Sequence, residues 1–258
     1  MRARGFIVPK ACEGMSDCQD RFSINAATGS VAVCDGMSQS LFPKYWAEII
    51  AGQYTSDVEW FPSRDNVAAL APRWREQVEQ RLERLKSRGL ATWRSESMLS
   101  QGCSAGSTLV GLRTDGYYWR CDVLGDSCLI VIQGDRIEDI FSSMDIRHFD
   151  NYPDFFDSNP ANPGKGSVET FYGEWMENKA LLLVSDPLAA FLTCMRGTDK
   201  EPVYIKELLS VESADEFEIL VNYWRRDGMH NDDTTAVVLT NDRHLDDEMF
   251  KRQEEWVW

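Results

Sequence analysis

Ser107-Thr108-Leu109-Val110-Gly111-Leu112-Arg113, Tyr117-Tyr118-Trp119-Arg120-Cys121-Asp122-Val123-Leu124 and Cys128-Leu129-Ile130-Val131-Ile132-Gln133 follow one another closely. Only Thr114-Asp115-Gly116 and Gly125-Asp126-Ser127 stand between them. Short runs rich in branched and aromatic residues, bounded by Gly and Asp, read as strands. Polar connections this short predict antiparallel hairpins, because parallel neighbours need a crossover of about a dozen residues or more. Upstream, Phe22 and Ile24 alternate, a polar turn follows over 25–30, and Val31-Ala32-Val33-Cys34 reads as a buried strand. Downstream, Ala180-Leu181-Leu182-Leu183-Val184 and the stretch 235–240 read the same way.

Helical spacing lies on either side of these strands. Pro43 opens a helix predicted over 43–50, with Trp46, Ile49 and Ile50 on one face. Over 65–88, Trp74, Val78, Leu82 and Leu85 keep a helical stripe that Gly89 closes, and Pro72 should kink or split the segment. Further helices are predicted over 187–195 and over 215–226, the latter with Phe217, Leu220, Val221 and Trp224 as its apolar face. The stretch 145–166, rich in Asn, Asp, Pro and Gly, reads as loop. Hairpins grouped together with helices outside them predict an α+β fold with mostly antiparallel sheet.

The chain has 258 residues, 27 Lys and Arg against 42 Asp and Glu, and a net charge of −15. A hydrophobic content of 43% suits a folded globular chain rather than a disordered one. The negative charge argues against nucleic acid as a partner, since phosphates require a basic face. No apolar run reaches the roughly 20 residues needed to span a bilayer, and the basic start Met1-Arg2-Ala3-Arg4 lacks an apolar signal region. A cytoplasmic monomer without membrane contact is expected. Seven cysteines without a C-x-x-C pair fit free thiols better than a disulfide framework or a zinc site. The three histidines, His148, His230 and His244, are too scattered for a histidine metal cluster.

The sequence has no Walker-type or dinucleotide-binding glycine loop, no H-E-x-x-H and no G-x-S-x-G. No cysteine is followed by the arginine that a thiolate-based phosphatase needs to hold its phosphate. What remains is aspartate at strand ends: Asp20 before Phe22, Asp35 after Cys34, Asp126 after Leu124, Asp186 after Ser185, and Asp232-Asp233 before Thr235. Taken singly, each has an ordinary reading as turn or helix cap. Gathered at one rim they would repel one another unless cations lay between them, and hard oxygen donors suit Mg²⁺ or Mn²⁺.

Their order is more telling than any one of them. Cys18-Gln19-Asp20-Arg21-Phe22, Val31-Ala32-Val33-Cys34-Asp35-Gly36-Met37, Gly106-Ser107-Thr108, Leu124-Gly125-Asp126-Ser127, Leu182-Leu183-Val184-Ser185-Asp186 and Asp232-Asp233-Thr234-Thr235-Ala236-Val237-Val238 succeed one another over roughly residues 1–241. This series resembles the type 2C metal-dependent serine/threonine protein phosphatases. The resemblance implies a four-layer αββα sandwich of two antiparallel sheets flanked by helices over 1–241. The charged tail 242–258, ending Trp256-Val257-Trp258, is expected to pack on that domain.

The resemblance also implies a binuclear Mg²⁺ or Mn²⁺ centre. Asp35 would bridge two ions and act in catalysis through a water held between them, and Gly36 would ligate through its carbonyl. Asp186 and Asp232 would complete the first ion's ligands, Asp20 would serve the second, and Asp126 with Asp186 would hold a third, weaker ion. The implied activity is hydrolysis of phosphoserine and phosphothreonine in proteins, with a serine/threonine kinase as counterpart. The alternative is a catalytically weak member acting as a binding or regulatory module. The chain departs from the family pattern at Met15, where an arginine often holds phosphate, and at Met37, Ser38-Gln39-Ser40 and Pro187.

Overall fold

The computed structural model describes residues 1–144 and 153–241. The chain opens with β1 (Arg2–Val8), β2 (Arg21–Asn25) and β3 (Ser30–Cys34), followed by α1 (Pro43–Ser56), α2 (Arg64–Ala68), α3 (Ala71–Ser87) and α4 (Trp93–Ser100). Strands β4 (Gly106–Ser107), β5 (Leu109–Thr114), β6 (Tyr118–Leu124), β7 (Cys128–Gln133) and β8 (Arg136–Phe141) come next. Then follow β9 (Phe155–Asp157), β10 (Gly164–Lys165), β11 (Glu169–Glu174) and β12 (Lys179–Val184). Helices α5 (Asp186–Met195), α6 (Glu201–Ser210) and α7 (Ala214–Arg226) precede the closing strand β13 (Thr234–Thr240).

Two five-stranded sheets result, ordered β1-β13-β12-β7-β8 and β11-β6-β5-β3-β2, with a small third sheet β10-β9-β4. Side-chain alternation explains why they stack. Val31 and Val33 of β3, Leu112 of β5, Cys121 and Val123 of β6, Leu129 and Val131 of β7, Leu181 and Leu183 of β12, and Val237 and Leu239 of β13 form one buried cluster between the sheets. The alternate residues Ala32 and Cys34 pack with Trp46, Ile50 and Tyr54 of α1. On the other sheet, Ile130, Leu182 and Val238 pack with Leu188 and Phe191 of α5, Ile205 and Leu208 of α6, and Phe217 and Trp224 of α7. Both faces of both sheets are covered, which is why their central strands read as unbroken apolar runs rather than half-polar ones. The architecture is the expected αββα sandwich. Trp46 alone, fully buried, contributes on the order of 2–3 kcal/mol through lost apolar surface. Its indole N–H donates to the Phe156 carbonyl at 3.0 Å, fastening α1 to the small sheet.

Several expectations need correction. The Gly125-Asp126-Ser127 link is not a hairpin turn: β6 and β7 belong to different sheets, so the chain crosses the sandwich there. Gly125 makes that corner with φ +99°, where a Cβ would also lie 2.6 Å from the Asp154 carbonyl oxygen. The β5–β6 hairpin does form, with Leu109 opposite Leu124. The first expected strand breaks at Thr108 into β4 and β5. Helix α1 runs six residues past Ile50, to Ser56. The segment 65–88 splits into α2 and α3, with Pro72 in the first turn of α3, where a missing N–H is harmless. The loop expected over 145–166 contains β9 and β10, while 145–152 lie outside the described residues. His148, His244 and the tail 242–258 lie outside them too. Among the described residues no helix is long and apolar enough to cross a membrane.

Candidate active site

The strand registers bring the five aspartates to one end of the sandwich. Asp20 precedes β2, whose first residue Arg21 lies opposite Cys34, the residue before Asp35. Val33 pairs with Val110 near the start of β5, and Leu109 pairs with Leu124, two residues before Asp126. In the facing sheet, Val184 lies opposite both Cys128 and Ala236, so Asp126, Asp186 and Asp232 share that end as well. A sequence of antiparallel neighbours thus puts the ends of β3, β6 and β12 beside the starts of β2, β7 and β13.

Close packing of like charges marks the result. Burial pushes the Asp20 carboxyl up to about 7, and the neighbouring Asp233 charge adds to it. Burial likewise holds Asp35 well above the usual carboxylate range, with Asp20, Asp186 and Asp126 pushing the same way. Asp186 is raised by burial and by Asp126, Asp20 and Asp232. The strand registers put Asp20, Asp35, Asp126, Asp186 and Asp232 toward the same end of the sandwich, but among the described residues no His, Cys, Asp and Glu side chains close as a group of three around one point.

Buried carboxylates that raise one another's pKa favour protons or cations beside them. Asp20 Oδ1 is buried and receives no hydrogen-bond donor, while its Oδ2 accepts from the Thr235 hydroxyl at 2.8 Å. An oxygen-rich, histidine-free set with an oxygen left undonated fits a hard divalent cation that retains waters. The nearby thiols do not compete for this role. Burial pushes Cys18 and Cys128 up to about 12 and Cys34 higher still, so all stay protonated.

The surroundings fix the acidic residues from behind. The Asp35 N–H donates to Thr108 Oγ1 at 3.2 Å, and the Asp35 carbonyl accepts from Thr108 N at 2.9 Å. Thr108 Oγ1 in turn lies 2.9 Å from Ser127 Oγ, which couples the Asp35 and Asp126 segments. Gly36 bridges to Ser107, and a Cβ on it would lie 2.9 Å from both the Gln19 carbonyl oxygen and Pro43 Cβ, so only glycine fits. Ser185 stands at the N-cap of α5 but does not cap it; its hydroxyl accepts from Thr235 N at 2.9 Å instead. That bond ties the end of β12 to the start of β13.

Sequence reasoning passed over Lys10, and it quoted Thr108, Ser185, Asp233 and Thr235 within their motifs without giving any of them a role of its own. Asp233 is the more deeply buried of the adjacent pair, and its two oxygens accept from Lys10 N at 3.0 Å and Gln19 N at 2.7 Å. Asp232 is half-buried and pairs through Oδ1 with Lys10 Nζ at 2.9 Å. The doubled aspartate was the available signal, but nothing in the string separates a side chain that binds backbone from one that faces the site. Met15, by contrast, is 52% exposed. Two surface clefts, about 350 Å³ beside Arg113, Tyr118 and Tyr172 and about 580 Å³ between α6 and α7, share no residue with the aspartate set.

An αββα sandwich in this order is the fold of the type 2C serine/threonine phosphatases. The chain aligns over 92% of its length, with TM-score 0.56 and 16% identity, with 97% of a bacterial serine phosphatase solved with an arginine-to-glutamate substitution. PppA of Pseudomonas aeruginosa aligns with 93% of this chain over 96% of its own, at TM-score 0.56 and 16% identity. The catalytic domain of the serine/threonine protein phosphatase PstP, solved in complex with two manganese ions, aligns with 92% of this chain over 96% of its own, at TM-score 0.54 and 15% identity. No family model and no curated protein matches the sequence.

Proposed function

We propose that this protein is a metal-dependent phosphomonoester hydrolase acting on phosphoserine and phosphothreonine in proteins. The observation that carries the reading is the convergence of Asp20, Asp35, Asp126, Asp186 and Asp232 on one rim of a phosphatase-type sandwich. Asp35, placed among Asp20, Asp126 and Asp186, is the residue suited to hold two Mg²⁺ or Mn²⁺ ions at once. Asp186 and Asp232 would serve one ion, with the Gly36 carbonyl, and Asp20 the other; Asp126 with Asp186 offers a third place. When bound, such ions supply positive charge for the phosphoryl oxygens and acidify water for attack on phosphorus.

The chain's own groups do the rest. Thr235 holds Asp20 by one oxygen and leaves the buried Oδ1 without a donor, so that it could serve a cation. Thr108 and Ser127 hold the backbone of Asp35 in register with Asp126. Asp233 pins the 10–19 loop at both ends through the N–H groups of Lys10 and Gln19. No covalent intermediate is needed, and the protonated thiols around the site take no part.

The test is hydrolysis of an aryl phosphate and of phosphoserine and phosphothreonine peptides with Mn²⁺ or Mg²⁺, before and after exhaustive chelation. Metal-restored turnover of both substrate kinds is expected. Activity that survives chelation would overturn the metal assignment. Tight Mn²⁺ binding without turnover of any phosphoester would instead make the protein a phosphatase-like binding module.

A further inference from the structure

A phosphate dianion at this acidic rim is held better where a fixed positive charge of the chain's own stands beside the bound cations. Three nearby cations are committed elsewhere. Arg21 turns back on its own backbone, donating to the Cys18 carbonyl at 3.0 Å and to the Asp20 carbonyl at 2.5 Å. Lys44 donates to the Ser16 carbonyl. Arg225 donates to the carbonyls of Pro9 and Asp232 at 2.9 and 2.7 Å.

Lys10 is placed differently. Its own N–H is bound by Asp233, and the next residue's N–H donates to Asn231 Oδ1 at 2.9 Å, so its main chain is fixed against the start of β13. Its side chain is 24% exposed and reaches between two parts of the rim. Nζ lies 2.9 Å from Asp232 Oδ1 and 3.5 Å from Ser38 Oγ, two residues beyond Gly36. We propose that Lys10 is a substrate-binding residue whose ammonium grips a non-bridging oxygen of the phosphoryl group held at the aspartate rim. This rests on the phosphatase reading above.

Lysine suits the position. Its three N–H donors on one compact charge can keep Asp232 and still point a proton at an anion, which a planar guanidinium bonded to Asp232 would do less freely. Its flexible stem carries the charge, while the bonds of Asp233 and Asn231 keep the attachment point still.

The experiment compares wild type with Lys10→Met and Lys10→Arg as full-length proteins. Calorimetry measures Mn²⁺ binding and then inorganic phosphate binding to the Mn²⁺-loaded protein, and steady-state kinetics with an aryl phosphate separate KM from kcat. Lys10→Met should weaken phosphate binding and raise KM roughly tenfold, the loss of one charge-assisted contact, without weakening Mn²⁺ binding. Lys10→Arg should restore phosphate binding to within about threefold of wild type. If Lys10→Met binds both Mn²⁺ and phosphate as wild type does, the assignment of Lys10 is wrong while the phosphatase reading stands. If wild type itself takes up no Mn²⁺, the reading of the site fails and this assignment falls with it.

Discussion

The Thr235 hydroxyl donates to Asp20 Oδ2 at 2.8 Å, joining the first residues of a strand in one sheet to the residue that precedes a strand in the other. The contact spans 215 residues of sequence and is buried. Ser185 extends it, since its hydroxyl accepts from Thr235 N and its N–H donates to the Thr235 carbonyl at 3.1 Å. Asp20, Thr235 and Ser185 therefore form a seam across the sandwich directly behind Asp35 and Asp186. A hydroxyl donor stabilises the ionised carboxylate, the form a cation would require, while Oδ1 carries no donor that a cation would have to displace.

Thr235→Val keeps the shape of the side chain and removes only this donor. The ionised form of Asp20 then loses its partner, so its pKa should rise further from about 7. Mn²⁺ binding, read by calorimetry at pH 7, should weaken several-fold, and the loss should shrink as pH is raised. An unchanged Mn²⁺ isotherm would remove Asp20 from the ligand set.

The stability of the chelated protein should fall as pH rises. Asp20, Asp35 and Asp186 all have folded-state pKa values above those of an unfolded chain. For a raised carboxylate the folded state binds more protons than the unfolded one, so its contribution is fully present below an unfolded pKa of about 4 and is lost through the folded value. For Asp20 that window closes near pH 7. Thermal unfolding in chelator should therefore show Tm dropping by several degrees between about pH 5 and pH 8, a change corresponding to a few kcal/mol. Saturating Mn²⁺ should flatten the slope. A metal-free Tm that climbs over this interval would mean the carboxylates do not share one desolvated site.

Much of this arrangement was legible because buried strands in a four-layer sandwich carry apolar residues on both faces. Val31–Cys34 and Ala180–Val184 announce themselves in that way, and an aspartate placed at the end of such a run must lie at the sheet rim. Edge strands carry no such signal. In β1 the arginines interrupt the apolar pattern, yet Arg4 is tolerated because it reaches the carbonyls of Val211 and Leu209 at the end of α6 and the Glu212 carboxylate. Strand β11, at the outer edge of its sheet, alternates half-exposed residues and went unread. Helix α6 was missed because Glu201 opens it from a buried position, satisfied by Ile137 N at 2.7 Å, Gly197 N at 2.9 Å and Arg136 at 3.1 Å, partners far away in sequence or hidden in a turn. The corner at Gly125 was misread because a three-residue polar link serves a hairpin and a change of sheet equally well.

Asp35→Asn should nearly abolish turnover, by roughly a thousandfold or more if it removes a charge that develops its effect in the transition state. The same change relieves repulsion among Asp20, Asp126 and Asp186, so Tm in chelator should stay level or rise. Asp115→Asn is the matched control: Asp115 Oδ1 accepts from the N–H groups of Tyr117 and Tyr118 at 2.8 and 2.7 Å, a turn role that an asparagine oxygen can keep. Its rate and Tm should barely move. Near-normal turnover by Asp35→Asn at saturating metal would displace Asp35 from the centre of the site.

Gly36→Ala should cost both stability and metal binding. The added methyl would meet the Gln19 carbonyl oxygen and Pro43 Cβ at 2.9 Å, and neither can swing aside, since one is backbone and the other opens α1. Overpacking of this kind costs about 1–3 kcal/mol, a Tm loss of several degrees for a domain of this size. Because Asp35 is the preceding residue, Mn²⁺ affinity should fall in parallel. An unaltered Tm would show that the loop carrying Gln19 can retreat without consequence.

Asp232 and Asp233 are adjacent, both acidic and both at the rim, but they have different partners, and asparagine substitutions should separate their roles. Asp232 is half-buried, receives Asp233 N at 2.7 Å and Lys10 Nζ at 2.9 Å, and adds its charge to that of Asp186. Asp232→Asn can keep the backbone bond through its amide oxygen while losing the charge. It should weaken Mn²⁺ binding about tenfold or more with little change in Tm. Asp233 spends both oxygens on backbone N–H groups, of Lys10 and Gln19. Asparagine has one acceptor, so its amide nitrogen would face one of those donors and leave a buried group unpaired, at a cost of about 1–3 kcal/mol. Asp233→Asn should therefore lower Tm by several degrees, with the 10–19 loop exchanging its amide protons faster, and should affect Mn²⁺ binding only secondarily. Calorimetry and thermal unfolding of the two variants side by side decide the matter. If Asp233→Asn abolishes Mn²⁺ binding at unchanged Tm while Asp232→Asn leaves binding intact, the ligand assignment must move from Asp232 to Asp233.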